Sequence, residues 1–138
     1  MKNTIQLQIL PEVFLGIDVG KAELFCHLLS QSATYSAKFM NSPAGIKKLI
    51  DWLKKHFDLS KISACLEQTG HYGKLVSKAL YQARLEAVYL VNPRRIKAYG
   101  NQKLRRNKSD TADAKLIANF LRSEYHDLIA WIPQSIDR

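Results

Sequence analysis

Four carboxylates stand where a metal-dependent enzyme acting on nucleic acid would need them. Asp18 ends the apolar run in FLGIDVGK, Glu67 ends the one in ACLEQTGHYG, and Asp110 and Asp113 lie three apart in KSDTADAK. Two close strand-like segments and two open a helix-like one. In an open α/β sheet, ligands sit beyond the carboxyl ends of the parallel strands, so Asp18 and Glu67 could reach one crevice if their strands are neighbours. Carboxylate oxygens are hard donors suited to hard divalent cations. A pair of such ions about 3.5–4 Å apart stabilises both the attacking and the leaving oxygen of a phosphodiester.

The helix that Asp110 and Asp113 open sharpens the point. At roughly 100° per residue, Leu116, Ile117, Phe120 and Leu121 span an arc that also holds both acids, which predicts carboxylates along the buried stripe. An uncompensated charge there costs several kcal/mol unless it is paired or metal-bound. Simpler roles exist for each acid alone. Asp110 can be an N-cap with Asp113 as an imperfect capping box, and Asp18 in Asp-Val-Gly can be a turn acid. Glu67 is harder to dismiss because Glu is a poor turn former. The joint pattern carries the information.

The elements that must position these acids follow from periodicity. Residues 13–18 form a nearly continuous apolar run, as expected of a central strand buried on both faces. Residues 22–29 and 34–40 are β-rich, with Gln31-Ser32 between them, which predicts a three-stranded antiparallel meander. Ser42-Pro43 is a cap-then-proline start for a helix to about Lys55, with Ile46, Leu49, Ile50 and Leu53 at helical spacing. Ile62 to Leu66 is the next strand. Tyr72, Leu75, Val76, Ala79 and Leu80 mark one face of a second helix, and Ala87 to Val91 a last strand. Asn92-Pro93 repeats the cap-then-proline start for a basic helix, and the final helix runs to about Arg122. The order is βββαβαβαα, an α/β fold with a mixed five-stranded sheet and helices on both faces. The expected organisation is an N-terminal extension over 1–12, a domain over 13–123, and a linker over 124–138 leading towards a further domain.

The 138 residues allow one core, and 21 Lys and Arg against 12 Asp and Glu leave a net charge of +9. That balance favours a polyanionic partner over a small-molecule substrate. Much of the charge is concentrated in RRIKAYGNQKLRRNK, residues 94–108, where Arg94, Arg95, Lys97, Lys103, Arg105, Arg106 and Lys108 occur with no acid. Lying just before the Asp110 helix, these side chains could bring phosphates to the acids without reading bases. Tyr99 among them could stack on a base or simply pack. Cys26 and Cys65 lie in apolar runs with no ligand spacing, as expected of buried thiols in a reducing cytosol. His27, His56, His71 and His126 are scattered without ligand spacing. No apolar run approaches membrane-helix length and no signal peptide is evident, so a cytoplasmic protein with no membrane partner is expected.

Together FLGIDVGK, Glu67-Gln68-Thr69-Gly70-His71-Tyr72-Gly73, Val91-Asn92-Pro93 and Lys108-Ser109-Asp110-Thr111-Ala112-Asp113-Ala114 resemble the N-terminal domain of the DEDD transposases, the insertion-sequence 110 family that includes Piv-type DNA invertases. The resemblance runs in order from residue 13 to about 122. It implies a ribonuclease-H-like fold similar to RuvC, with Asp18, Glu67, Asp110 and Asp113 as a divalent-metal tetrad and magnesium as the natural ion. It further implies phosphodiester cleavage and strand transfer on DNA, in some members directed by a structured guide RNA, a C-terminal domain bearing a serine nucleophile, and a homo-oligomer at full length. Two other classes compete. Gly-Ile-Asp-Val-Gly also resembles the phosphate hairpin of actin-like-fold phosphotransferases, although no second Gly-rich loop follows. In a non-catalytic nucleic-acid-binding module the acids would only cap and turn.

Overall fold

The computed structural model describes residues 11–68, 70–103 and 113–134. Asp110, Arg105, Arg106, Lys108 and Thr69 lie outside the described residues, as does the side chain of Lys103. Five strands form one sheet: β1 (Val13–Val19), β2 (Glu23–Leu29), β3 (Thr34–Met40), β4 (Ile62–Glu67) and β5 (Ala87–Val91). Among the described residues, four helices accompany them: α1 (Pro43–His56), α2 (Lys74–Gln82), α3 (Pro93–Lys103) and α4 (Asp113–Glu124). The strands lie in the order β3-β2-β1-β4-β5, with β1–β2 and β2–β3 antiparallel and β1–β4 and β4–β5 parallel. The mixed sheet and the predicted element order are both observed.

Local chemistry sets the boundaries. Ser42 adopts extended backbone and its Oγ accepts from the Gly45 N–H at 3.0 Å, with Pro43 entering the helix behind it. Asn92 does the same for α3, its Oδ1 accepting from the Arg94 N–H at 2.8 Å. Helix α2 begins two residues later than its apolar pattern suggests. Tyr72 therefore falls in the preceding turn, and Tyr72 and Leu75 are exposed while Val76, Ser77 and Leu80 are buried.

Alternation along β1 divides the core in two. Val13, Leu15 and Ile17 face one side, where Ile46, Leu49 and Leu53 of α1 and Val76 and Leu80 of α2 cover them. Phe14 faces the other with Cys65 and Val91, beneath Ile96 of α3 and Ile117, Ala118, Phe120 and Leu121 of α4. Each Val, Leu, Ile or Phe among them contributes about 1.5–3 kcal/mol on burial. Gly16 lies under α4, and a Cβ there would run into the Ala114 carbonyl oxygen and the Ala118 backbone nitrogen. The missing side chain lets α4 rest its backbone on β1. After α4, a short 3-10 turn spans Tyr125–Asp127, and the Trp131 N–H donates to the Val88 carbonyl at 2.8 Å, holding the following segment against β5.

Candidate active site

The parallel ladder between β1 and β4 pairs Val13 with Ile62 and ends with Ile17 opposite Leu66. One step further are Asp18 and Glu67, side by side on strands about 4.8 Å apart. Both are half-buried, on the face that α4 covers. The adjacency that the sequence required of these two strands is therefore present.

The third acid enters from α4. Asp113 is its first residue, at the helix end where the backbone dipole favours a carboxylate. The helical arc had placed Asp113 along the buried stripe, and this is corrected: Asp113 is exposed, while Ala114, Ile117, Ala118, Phe120 and Leu121 are buried. The first turn of α4 lies over Gly16, close to the strand ends, so position 113 is at the rim of the sheet and not beneath it. Its charge still reaches Glu67. Burial holds the Glu67 carboxyl above the usual carboxylate range, and the charge of Asp113 raises it further.

Hard oxygen donors from β1, β4 and α4 thus share one end of the sheet, and their donor chemistry fits a divalent cation, which would relieve the like-charge crowding at Glu67. Among the described residues no group of three His, Cys, Asp or Glu side chains is gathered closely enough to hold a metal ion. Asp110, the fourth expected ligand, lies outside the described residues. Cys65, two residues before Glu67, is buried, and its thiol is pushed up to about 12 by burial and then by the Glu67 charge. Burial likewise raises the Cys26 thiol, so both cysteines are chemically quiet.

The basic segment is helical through residue 103 and starts at the same sheet edge, since β5 ends at Val91 beside Glu67. Arg94 and Lys97 are exposed on α3. Arg95 instead joins the helix pair, 3.8 Å from Glu124 and over the Phe120 ring. Tyr99 packs edge-on against Phe120 with its hydroxyl donating to the Asn119 carbonyl at 3.3 Å, so it is a packing residue and not a base-stacking one.

Register also brings together residues that no sequence motif grouped. On β2 and β3, Phe25 pairs with both Asp18 and Lys38, and His27 pairs with both Gly16 and Ser36. Paired residues share a face, so Phe25 and Lys38 continue the row that starts at Asp18. Alternation alone gives the face of each residue but not its row. No helix among the described residues is long and apolar enough to cross a membrane.

The chain matches the DEDD, IS110-type family described as transposase over residues 15–136. It is 29% identical over 126 residues to the pilin gene-inverting protein of Moraxella bovis, covering 90% of this chain and 38% of that protein. It is 31% identical over 117 residues to a mini-circle protein named as a transposase for IS117 in Streptomyces coelicolor, covering 83% of this chain and 28% of that one. The chain therefore spans well under half the length of these relatives. Among solved structures it resembles Thermus thermophilus RuvC in complex with a Holliday junction substrate, with a TM-score of 0.62 at 15% identity over 87% of this chain and 99% of that one. A second Thermus thermophilus RuvC structure gives 0.59 at 16% identity over 86% of this chain and 99% of that one. At such identity the likeness speaks for the fold, which is ribonuclease-H-like of the RuvC kind. From its motifs through its strand order to its match over residues 15–136, the chain belongs to the IS110 family of DEDD transposases.

Proposed function

We propose that this chain is the metal-binding catalytic domain of a DNA transposase or site-specific recombinase, acting in phosphodiester cleavage and strand transfer. The observation that carries the reading is the β1–β4 ladder, which sets Asp18 beside Glu67 at the sheet end where α4 delivers Asp113. In this reading Asp18, Glu67 and Asp113, with Asp110, hold magnesium or manganese. Such ions, when bound, polarise a phosphodiester and favour an attacking hydroxyl at neutral pH. The chain's own part is to fix those oxygens on rigid strand ends, with Gly16 keeping α4 close enough for Asp113 to join them. Arg94 and Lys97 on α3, with Arg95, Lys103, Arg105, Arg106 and Lys108, supply positive charge that draws the DNA backbone to the same edge. Residues 13–123 are the catalytic domain and 124–138 lead towards a further domain whose serine shares in strand transfer. A structured guide RNA and a homo-oligomeric full-length protein belong to the same proposal.

Thermal melting during magnesium or manganese titration tests the centre. An ion that binds only the folded state stabilises it by about 2.7 kcal/mol at a hundredfold excess over Kd, a shift of several degrees. The wild type should show that rise and Asp18→Ala should not. Glu67→Gln should also lose the response while melting at or above the metal-free wild type, because it removes a crowded charge. Equal responses from all three would sink the centre and leave a binding module in which the acids only cap and turn.

A further inference from the structure

We propose that the open face of β2 and β3 beside the acids is a shelf for a single DNA strand, with Phe25 as a stacking platform and His27, Lys38 and Lys115 as phosphate contacts. The inference rests on the reading of the acids as a phosphodiester centre and adds the course of the strand across the sheet.

Helix α4 covers β1 and stops over β2. Beyond it, Thr34, Ser36, Lys38 and Met40 of β3 are all exposed on the same face. A cavity of about 470 Å³ lies along this boundary, lined by Phe25, His27, Ser36, Lys38, Ala114 and Lys115 among others. Its row structure ties it to the acids, since Asp18, Phe25 and Lys38 follow one another on adjacent strands. At about 4.8 Å per strand, Lys38 stands about 10 Å from Asp18.

The lining has the two parts that single-strand binding needs, an aromatic surface and cations along a backbone track. Phe25 is a large apolar side chain left 36% exposed, and the Lys38 ammonium sits 5.9 Å from its ring centre. Lys38 also lies 3.6 Å from Glu23, an exposed ion pair of little strength that a phosphate can replace. His27 adds an independent sign. It is 8% exposed, its Nδ1 is 2.8 Å from Ser36 Oγ, and its Nε2 has no hydrogen-bond partner among the described residues. When the Ser36 hydroxyl donates to Nδ1, Nε2 carries the proton and needs an acceptor, which a phosphate oxygen supplies. The local charge, Lys115 and Lys38 with His27 between them, favours an anionic occupant, and the net charge of +9 does the same at long range.

Fluorescence anisotropy of labelled oligo(dT) with the full chain tests the shelf. Phe25→Ala should weaken binding roughly tenfold. Lys38→Ala should lower the slope of log affinity against log salt by about 0.7. Both side chains are at the surface, so melting should be unchanged. Ultraviolet cross-linking should then mark the tryptic peptide Ala22–Lys38. Wild-type affinity in both folded variants, labels confined to other peptides, tighter binding of oligo(U), or no binding by the wild type would each overturn the shelf. The metal titration reads Asp18 and Glu67 whereas oligo(dT) affinity reads Phe25 and Lys38, so a failed metal centre and a failed shelf give different results.

Discussion

The two half-buried acids at the strand ends and the buried histidine beside them are polar groups that a core alone would not retain. His27 gives the clearest solution signature. Burial lowers its pKa from the ordinary value of 6.5, and the positive charge of Lys115 lowers it further. The groups that face it are Ser36 and Lys38 on β3, Lys115 on α4 and, one pair along β1, Asp18. The folded state therefore prefers the neutral ring and the unfolded state binds the proton more readily. Stability is fully present above pH 6.5, falls as pH drops through that value, and levels off below the folded pKa. Urea midpoints at about pH 7.5 and about pH 5.5 should differ more for the wild type than for His27→Gln. Identical differences would show that His27 is not buried in its neutral form. Asp18 and Glu67 were legible from their places at the ends of apolar runs. The exposure of Asp113 was not, because a helical arc gives direction around an axis and cannot say where the helix overhangs its support.

Among the elements, α4 and β1 make the contact on which the site depends. The Cβ of Gly16→Ala would meet backbone atoms of Ala114 and Ala118, which cannot turn aside as a side chain can, so α4 must lift from the sheet. Overpacking of this sort costs about 1–3 kcal/mol, and urea unfolding should register it. The same variant should weaken the response to magnesium, since lifting α4 withdraws Asp113 from Glu67. Unchanged stability would mean that α4 does not rest on β1 as described. Strand and helix boundaries were largely legible because Ser42-Pro43 and Asn92-Pro93 carry their own capping chemistry. Helix α2 was less so: the apolar pattern ran ahead of the helix into the exposed turn at Tyr72.

For the molecule as a whole, part of the positive charge lies beside the acidic edge, while Lys47, Lys48, Lys54 and Lys55 of α1 are exposed on the other side of the sheet. Arg94 and Lys97 project from α3, which starts where β5 ends, and Lys38 and Lys115 flank the opposite side. Duplex DNA binding should accordingly fall steeply with salt. Replacing Arg94 and Lys97 together with alanine should flatten the slope of log affinity against log salt by about 1.8. Arg95→Ala should act differently, loosening the α3–α4 contact that it makes with Glu124 and Phe120. A slope unchanged by the double replacement would remove α3 from the DNA-binding surface.

The order of strands and helices, the two-sided burial of β1, the basic segment and the candidate acids were all encoded locally, in periodicity, capping residues and short motifs. Those signals act over a few residues and survive without knowledge of the rest of the chain. Which strands become neighbours, and in which register, depends on contacts between distant segments. That pairing put Asp18 next to Glu67, aligned Phe25 and Lys38 with them, and left His27 buried against Ser36. A shift of one residue would have turned each of these side chains to the other face of the sheet, and no local pattern specifies that step.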